Sequence, residues 1–200
     1  MKYKSILALL LVGVMMTFTA HGKAEAKTAT AIFAGGCFWC MQPAFDKVNG
    51  VTDTVVGYTG GTTKNPTYEQ VGTGSTGHYE AIEIHYDPNV VTYEQLLDVF
   101  WHNIDPFDAK GQFCDKGPTY RSAIFYMNPM EKQLAEKSKQ DVYNRFKRPV
   151  ATMILPAKEF WPAEDYHQDY YMKNPIRYKF YRYRCGRDAR LKEVWGKSPH

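Results

Sequence analysis

The sequence predicts an α+β domain, a two-layer sandwich of helices on one mixed or antiparallel sheet, with a ferredoxin-like core and an irregular C-terminal tail. Three observations carry this. Short apolar runs alternate with helical patterns in the order β-α-β-β-α-β-α-β up to Leu155. The chain of 200 residues is long enough for one substantial core and too short for two comfortable ones. Beyond Leu155 the sequence is aromatic and poorly periodic.

Thr28 to Ala34 reads as a mostly apolar strand, followed by Gly35-Gly36 and a helix expected to begin near Cys40 or Met41. Pro43 supports that start, because proline is tolerated in a first turn where its missing N–H has no partner. Val51 to Gly57 is a second strand and His78 to Tyr86 a third, with clear period-two alternation. Thr92 and Gln95 form a capping-box pattern opening an amphipathic helix through Trp101. Tyr120 to Met127 is a strand, Asn128-Pro129 starts a polar helix to Phe146, and Val150 to Leu155 is the last strand.

Ahead of this domain, Lys2 and Lys4 precede an apolar run from Ile6 to Met16, and Ala24-Glu25-Ala26 has the spacing of a signal-peptidase site. Residues 1–26 are therefore expected to be a signal peptide and 27–200 a single catalytic domain, exported to a periplasm or secreted. The apolar run is shorter than the roughly 20 residues that span a bilayer, so an uncleaved leader would be only a crude membrane tether.

The net charge is +4. Basic residues from Lys173 to Lys197 interleave with Tyr178, Tyr181 and Tyr183, a pattern that can mean nucleic acid. Export argues against that, and a solvated basic surface is the reading adopted: no nucleic-acid partner, and a monomer. Four cysteines, Cys37, Cys40, Cys114 and Cys185, do not make a disulfide scaffold in a chain this size. Each needs its own explanation.

Cys37, in "GGCFWC", lies just ahead of a helix N-terminus, whose unpaired N–H groups favour a thiolate. Gly36 is expected to let a substrate approach the backbone closely. Phe38 and Trp39 are either core or the walls of a pocket for a small apolar group, such as a sulfur-linked methyl. In "HYEAIEIHY", alternation puts His78, Glu80, Ile82, Ile84 and Tyr86 on one face, so Glu80 points to the apolar side. It is either a buried, protonated general acid or a strand-end residue curling back to solvent.

Together "GGCFWC", "GYTGG", "NPTYEQVGTGSTGHYEAIEIHYDP", "CDKGPTYRSAIF" and "EDYHQDYYMKNP" resemble the peptide methionine sulfoxide reductases of the A type, which act on the S epimer. The resemblance covers residues 30–175 and implies an oxidoreductase of protein repair under oxidative stress, with no bound cofactor. It implies that Cys37 attacks the sulfoxide sulfur and becomes a sulfenic acid, that Phe38 and Trp39 wall the methyl pocket, and that Glu80 protonates the sulfoxide oxygen. It further implies that Tyr58 and Tyr120 hydrogen-bond that oxygen and that Asp115 orders the site. Oxidised proteins and peptides would be the substrates, and recycling would use an intramolecular disulfide opened by a thioredoxin-like reductant or another dithiol.

This chain departs from the family pattern at Cys40, Cys114 and Thr119, and its Cys185 sits in "YRYRCGRDAR". Cys185 is expected to resolve the sulfenic acid, with Cys40 and Cys114 as alternatives, because it follows a tail with the look of a mobile segment. Arg184 and Arg187 would favour its thiolate.

Three rivals explain less. A thioredoxin-like exchanger would use Cys37 and Cys40 but lacks the βαβ surroundings. A zinc module needs more than one C-x-x-C, so His78, His85, Glu164 and His167 are read as hydrogen-bonding side chains and no metal is expected. A secreted binding domain leaves the pocket residues unexplained.

Overall fold

The computed structural model describes residues 28–196. The leader expected at 1–26 lies outside the described residues. The elements are β1 (Ala29–Gly35), α1 (Phe38–Phe45), β2 (Val51–Thr59), α2 (Tyr68–Gly72), β3 (Tyr79–Tyr86), α3 (Tyr93–His102), β4 (Gly111–Gln112) and β5 (Asp115–Lys116). A 3-10 turn (Pro118–Tyr120) leads to β6 (Ser122–Tyr126), α4 (Pro129–Phe146), β7 (Met153–Pro156), β8 (Trp161–Pro162), α5 (Tyr170–Lys173), α6 (Pro175–Arg184) and α7 (Arg187–Trp195).

Six strands form one mixed sheet in the order β7-β6-β1-β3-β2-β8. Only β6 and β7 run parallel; the other pairs are antiparallel. The central order β6-β1-β3-β2, with α1 and α3 as crossovers, is the expected ferredoxin-like arrangement. Strand alternation sorts the core into two faces. Phe33, Ile82 and Ile84 pack under the helices with Phe45, Leu96 and Phe100, while Ile32, Ala81 and Phe125 pack under Leu155, Ala157 and Phe160 on the other side. Burying each of these large side chains contributes about 1.5–3 kcal/mol.

The helices that define the core begin where their caps demand. Thr92 accepts the Gln95 N–H at 3.2 Å and Gln95 Oε1 accepts the Thr92 N–H at 2.8 Å, both halves of the capping box. Asn128 Oδ1 accepts the Glu131 N–H at 3.0 Å, with Pro129 at the first helical position of α4.

Two expectations need correction. Helix α1 begins at Phe38, not Cys40 or Met41, so Pro43 lies inside it. A helix of 8 residues tolerates this because the one carbonyl deprived of an internal partner is that of Trp39, four residues back. The tail is not irregular: α6 and α7 are regular helices, and α7 docks by Arg187, Leu191 and Trp195 at one residue per turn. Trp195 Nε1 donates to the Ile104 carbonyl at 2.9 Å and Arg190 pairs with Asp105 at 2.7 Å. A buried stripe that narrow, with an arginine in it, has little apolar periodicity to read.

The motif "EDYHQDY" ties this tail to the core. Gln168 pairs both with the N–H and the C=O of Val56, at 2.9 and 2.8 Å, extending the edge of β2. Asp169 binds Gln42 of α1 through its side chain and its backbone N–H, at 3.1 and 2.9 Å.

Candidate active site

The turn from β1 into α1 sets Cys37 in place. Gly36 has φ +80, and a Cβ there would fall 2.5 Å from Cβ of Gln112. The glycine is required by the left-handed turn and by that packing, a different reason from the close substrate approach expected from sequence. Cys37 follows as the N-cap of α1 and is 6 % exposed.

Glu80 comes to it from β3. Its carboxyl is buried and Oε2 accepts the Phe38 N–H at 3.1 Å. Burial pushes the Glu80 carboxyl up to about 8, against the pull of that hydrogen bond. Of the two roles open in the sequence, burial favours the neutral acid.

A cavity of about 70 Å³ opens on Cys37, Glu80, Phe38 and Trp39. A larger groove of about 420 Å³ between α3, α4 and α7 has no cysteine in its lining, so the small cavity is where sulfur chemistry can occur. Phe38 is fully packed, against Tyr58 and His167 at ring distances of 6.0 and 5.1 Å. Trp39 is half-buried and held from three sides. It stacks on Tyr170 at 3.7 Å, meets Tyr181 edge-on at 5.9 Å, and donates from Nε1 to His167 Nδ1 at 3.0 Å. Burial lowers the His167 imidazole below its usual range, so a neutral ring accepts that bond.

Tyr120 and Asp115 line the cavity as expected. Tyr58 does not. It lies opposite Glu80 across β2 and β3, yet it is wholly buried and its hydroxyl donates to Glu164 Oε2 at 2.9 Å. Its place on the cavity is taken by Tyr68, which sequence reading passed over. The Tyr68 N–H donates to Glu164 Oε1 at 2.9 Å, so one carboxylate positions both tyrosines. Tyr68 opens α2, where Thr67 and Gln70 form a second capping box. That pattern, identical in kind to the one at Thr92, was the signal for it. Burial pushes the Tyr68 phenol up to about 12, so it stays a donor.

Tyr181, on α6, is the second residue that sequence reading missed. Its hydroxyl donates to Asp115 Oδ2 at 2.5 Å and its ring closes the cavity. Burial raises the Asp115 carboxyl above its ordinary value although the tyrosine bond opposes this.

The cysteines fall into two pairs. Cys37 and Cys40 are free and buried, and burial raises the Cys37 thiol well above its ordinary value, against the expectation that the helix N-terminus would favour its thiolate. Cys114 and Cys185 form a disulfide. The premise that Cys185 rides a mobile tail does not hold, because it caps the regular helix α6. Arg187 is buried against Gly35, Met41 and Asn103. Among the described residues one group of three metal-capable side chains converges, Cys114, Asp115 and Cys185, and its two sulfurs are bonded to each other. His78 binds the Thr63 carbonyl at 2.7 Å, pinning the glycine loop, and His85 contacts Glu83 at 3.2 Å.

This geometry makes a prediction that separates the tyrosines. Changing Tyr68 and Tyr120 together to Phe should slow the sulfur chemistry of the cavity by about 10²- to 10³-fold, the usual cost of removing preorganised donors. Tyr58→Phe should leave that rate near wild type and lower the thermal midpoint, because it strips Glu164 of a buried partner. Single-turnover rates and melting curves of the variants check both.

A family model described as peptide methionine sulfoxide reductase matches residues 29–199. The chain is 51% identical over 175 residues to the peptide methionine sulfoxide reductase MsrA of Halalkalibacterium halodurans, covering 86% of this chain and 99% of that one. Among solved structures it is similar to reduced Mxr1 from Saccharomyces cerevisiae, with TM-score 0.71 and 33% identity over 75% of this chain and 87% of that one. It is also similar to methionine sulfoxide reductase A of Corynebacterium diphtheriae, with TM-score 0.68 and 34% identity over 76% of this chain and 78% of that one. The Cys37 thiol, the buried Glu80 carboxyl and the Tyr68 and Tyr120 phenols therefore sit in a chain that belongs to the peptide methionine sulfoxide reductase family, of the MsrA type.

Proposed function

We propose that Cys37 reduces the S epimer of methionine sulfoxide, free or in proteins. The observation that carries this reading is the convergence of one thiol, one carboxyl held neutral and two phenols on a cavity walled by Phe38 and Trp39. A sulfoxide sulfur is a poor electrophile until its oxygen is protonated or strongly hydrogen-bonded. Glu80 supplies the proton, and Tyr68 and Tyr120 donate to the oxygen without reorganising. The aromatic walls receive the methyl group, a contact worth about 0.3 to 1.5 kcal/mol.

The step balances on sulfur alone. The Cys37 thiolate attacks the substrate sulfur, the oxygen passes to Cys37, methionine leaves, and Cys37 ends as a sulfenic acid two electrons more oxidised. A second cysteine then condenses with it, releasing water. An external dithiol of the thioredoxin kind restores the thiols, and the disulfide with its exposed Cys114 supports recycling at the surface. No prosthetic group or metal is needed. The leader-like start, with Lys2, Lys4 and Ala24-Glu25-Ala26, supports an exported enzyme, periplasmic or secreted, that repairs oxidised exported proteins.

A methyl site and an oxygen site fixed beside one nucleophile define handedness. The wild type, given a dithiol, should turn over N-acetyl-methionine S-sulfoxide and leave the R epimer untouched. Equal rates on both epimers in a chiral assay would refute the proposal.

A further inference from the structure

The basic, tyrosine-rich stretch from Lys173 onward is only partly absorbed by the function: Tyr181 closes the cavity and Cys185 belongs to the disulfide. Between Asp169 and Asp188 there is no acidic residue, while Lys173, Arg177, Lys179, Arg182, Arg184 and Arg187 are all cations. Arg182 pairs with Asp188 at 2.5 Å and Arg187 is buried. Among the described residues no carboxylate pairs with Arg177, Lys179 or Arg184. These three stand exposed on α6.

Helix α6 sorts its side chains by direction. Tyr178, Tyr181 and Arg182 are half-buried on the domain side, where Tyr181 meets Trp39 and Asp115. Ile176, Phe180 and Tyr183 face away, exposed by 83, 62 and 82 %. At about 100° of turn per residue these three fall within an arc of about 60°. Among the described residues, Ile176 and Tyr183 are the two most exposed large hydrophobic side chains. By the same turn, Lys179 borders the arc on one side and Arg177 and Arg184 border it on the other. The Arg184 guanidinium lies 5.6 Å from the Phe180 ring centre.

Packing does not explain this strip, because no residue of α6 is buried. Its crest is apolar, its flanks are basic and its shape is convex. A helix lying in a lipid interface has that composition: apolar side chains enter the boundary below the headgroups, and Lys and Arg stems run beside them with their charges at headgroup level. Tyr183 suits the same depth, with a ring that is apolar and a hydroxyl that stays wet. Helix α6 has 10 residues and no described helix is long and apolar enough to cross a membrane, so the contact is with a surface.

We propose that α6 docks this protein on an anionic lipid surface, with Ile176, Phe180 and Tyr183 entering the interface and Arg177, Lys179 and Arg184 meeting lipid phosphates. Charge complementarity selects the occupant, since each cation near an anionic lipid surface raises affinity about fivefold. Duplex nucleic acid would reward the same cations and leave the apolar strip in water. Tyr181 is on the inner side of the same helix, so docking holds the cavity close to the lipid. The docking does not depend on the sulfoxide chemistry.

The test measures binding of the full chain to vesicles of phosphatidylcholine with phosphatidylglycerol, to vesicles of phosphatidylcholine alone, and to a DNA duplex at equal phosphate. Exposed lysines are then acetylated in each mixture and mapped by mass spectrometry. Anionic vesicles should bind at least about tenfold more tightly than neutral ones at low salt. They should protect Lys179 and leave Lys137 of α4 reactive. Ile176→Gln, Phe180→Gln and Tyr183→Gln together should weaken that binding at least about tenfold, with a melting curve like that of wild type because all three side chains are exposed. Arg177→Gln with Lys179→Gln should weaken it at least about tenfold and flatten its salt dependence; this pair carries the comparison if the triple variant does not fold. Residues 1–27 are common to every variant, so their own lipid binding cancels. Absent binding to anionic vesicles, equal binding to neutral ones, or wild-type binding in either folded variant would overturn the proposal. So would a Lys179 left reactive on anionic vesicles, or one protected as well by the duplex as by vesicles.

Discussion

Cys37→Ser is expected to abolish sulfoxide reduction at every pH and with every reductant. A serine hydroxyl in this site has no base to ionise it, and it cannot take an oxygen to form a sulfenic acid. The fold should survive, because Cys37 is an N-cap whose side chain makes no capping hydrogen bond to α1. Serine is moreover a preferred residue at that position. A melting curve near that of wild type, with methionine formation at background by chromatography, is the expected pair of results. Turnover above background in a folded Cys37→Ser would mean another sulfur attacks, and Cys40 is the only other cysteine in this inner pair.

Glu80→Gln is expected to slow the sulfoxide step by about 10²- to 10⁴-fold, the usual contribution of a positioned acid. The amide keeps the size of the side chain and loses the proton that the oxygen needs. The pH dependence gives the sharper signature. Glu80 is raised to about 8, so its acidic form is present below that pH and lost above it. The ratio of the wild-type to the Glu80→Gln single-turnover rate should therefore fall as pH rises through about 8, because only wild type has that acid to lose. If its rate matches wild type at neutral pH, Glu80 serves only the packing of β3 against α1.

How much of this was legible depended on how each residue advertises itself. The ferredoxin-like core was readable because β3 alternates cleanly and the caps at Thr92 and Asn128 mark where α3 and α4 begin. Glu80 followed from that alternation. Tyr58 was misplaced because a phenol carries its hydroxyl far from the backbone. The strand put the ring on the correct face, and Glu164, distant in sequence, decided where the oxygen went. Tyr68 could have been found from its own T-x-x-Q cap.

The tail was illegible for a different reason. No residue of α6 is buried, and α7 buries one side chain per turn. No periodicity of width enough for a helix reading survives in such a pattern. Tyr181 and the Cys114–Cys185 disulfide depend on that docking, and so stayed out of reach of the sequence.

The central claim is that Cys37 takes the oxygen from the substrate. It is tested most directly in a variant with Cys40, Cys114 and Cys185 all changed to Ser, leaving one thiol. This enzyme, reacted with one equivalent of 18O-labelled N-acetyl-methionine S-sulfoxide and no reductant, should release one methionine per chain. Intact mass spectrometry should show one added atom of the label, located at Cys37 by peptide mapping. Methionine released without label on Cys37, or label on any other residue, would contradict the account.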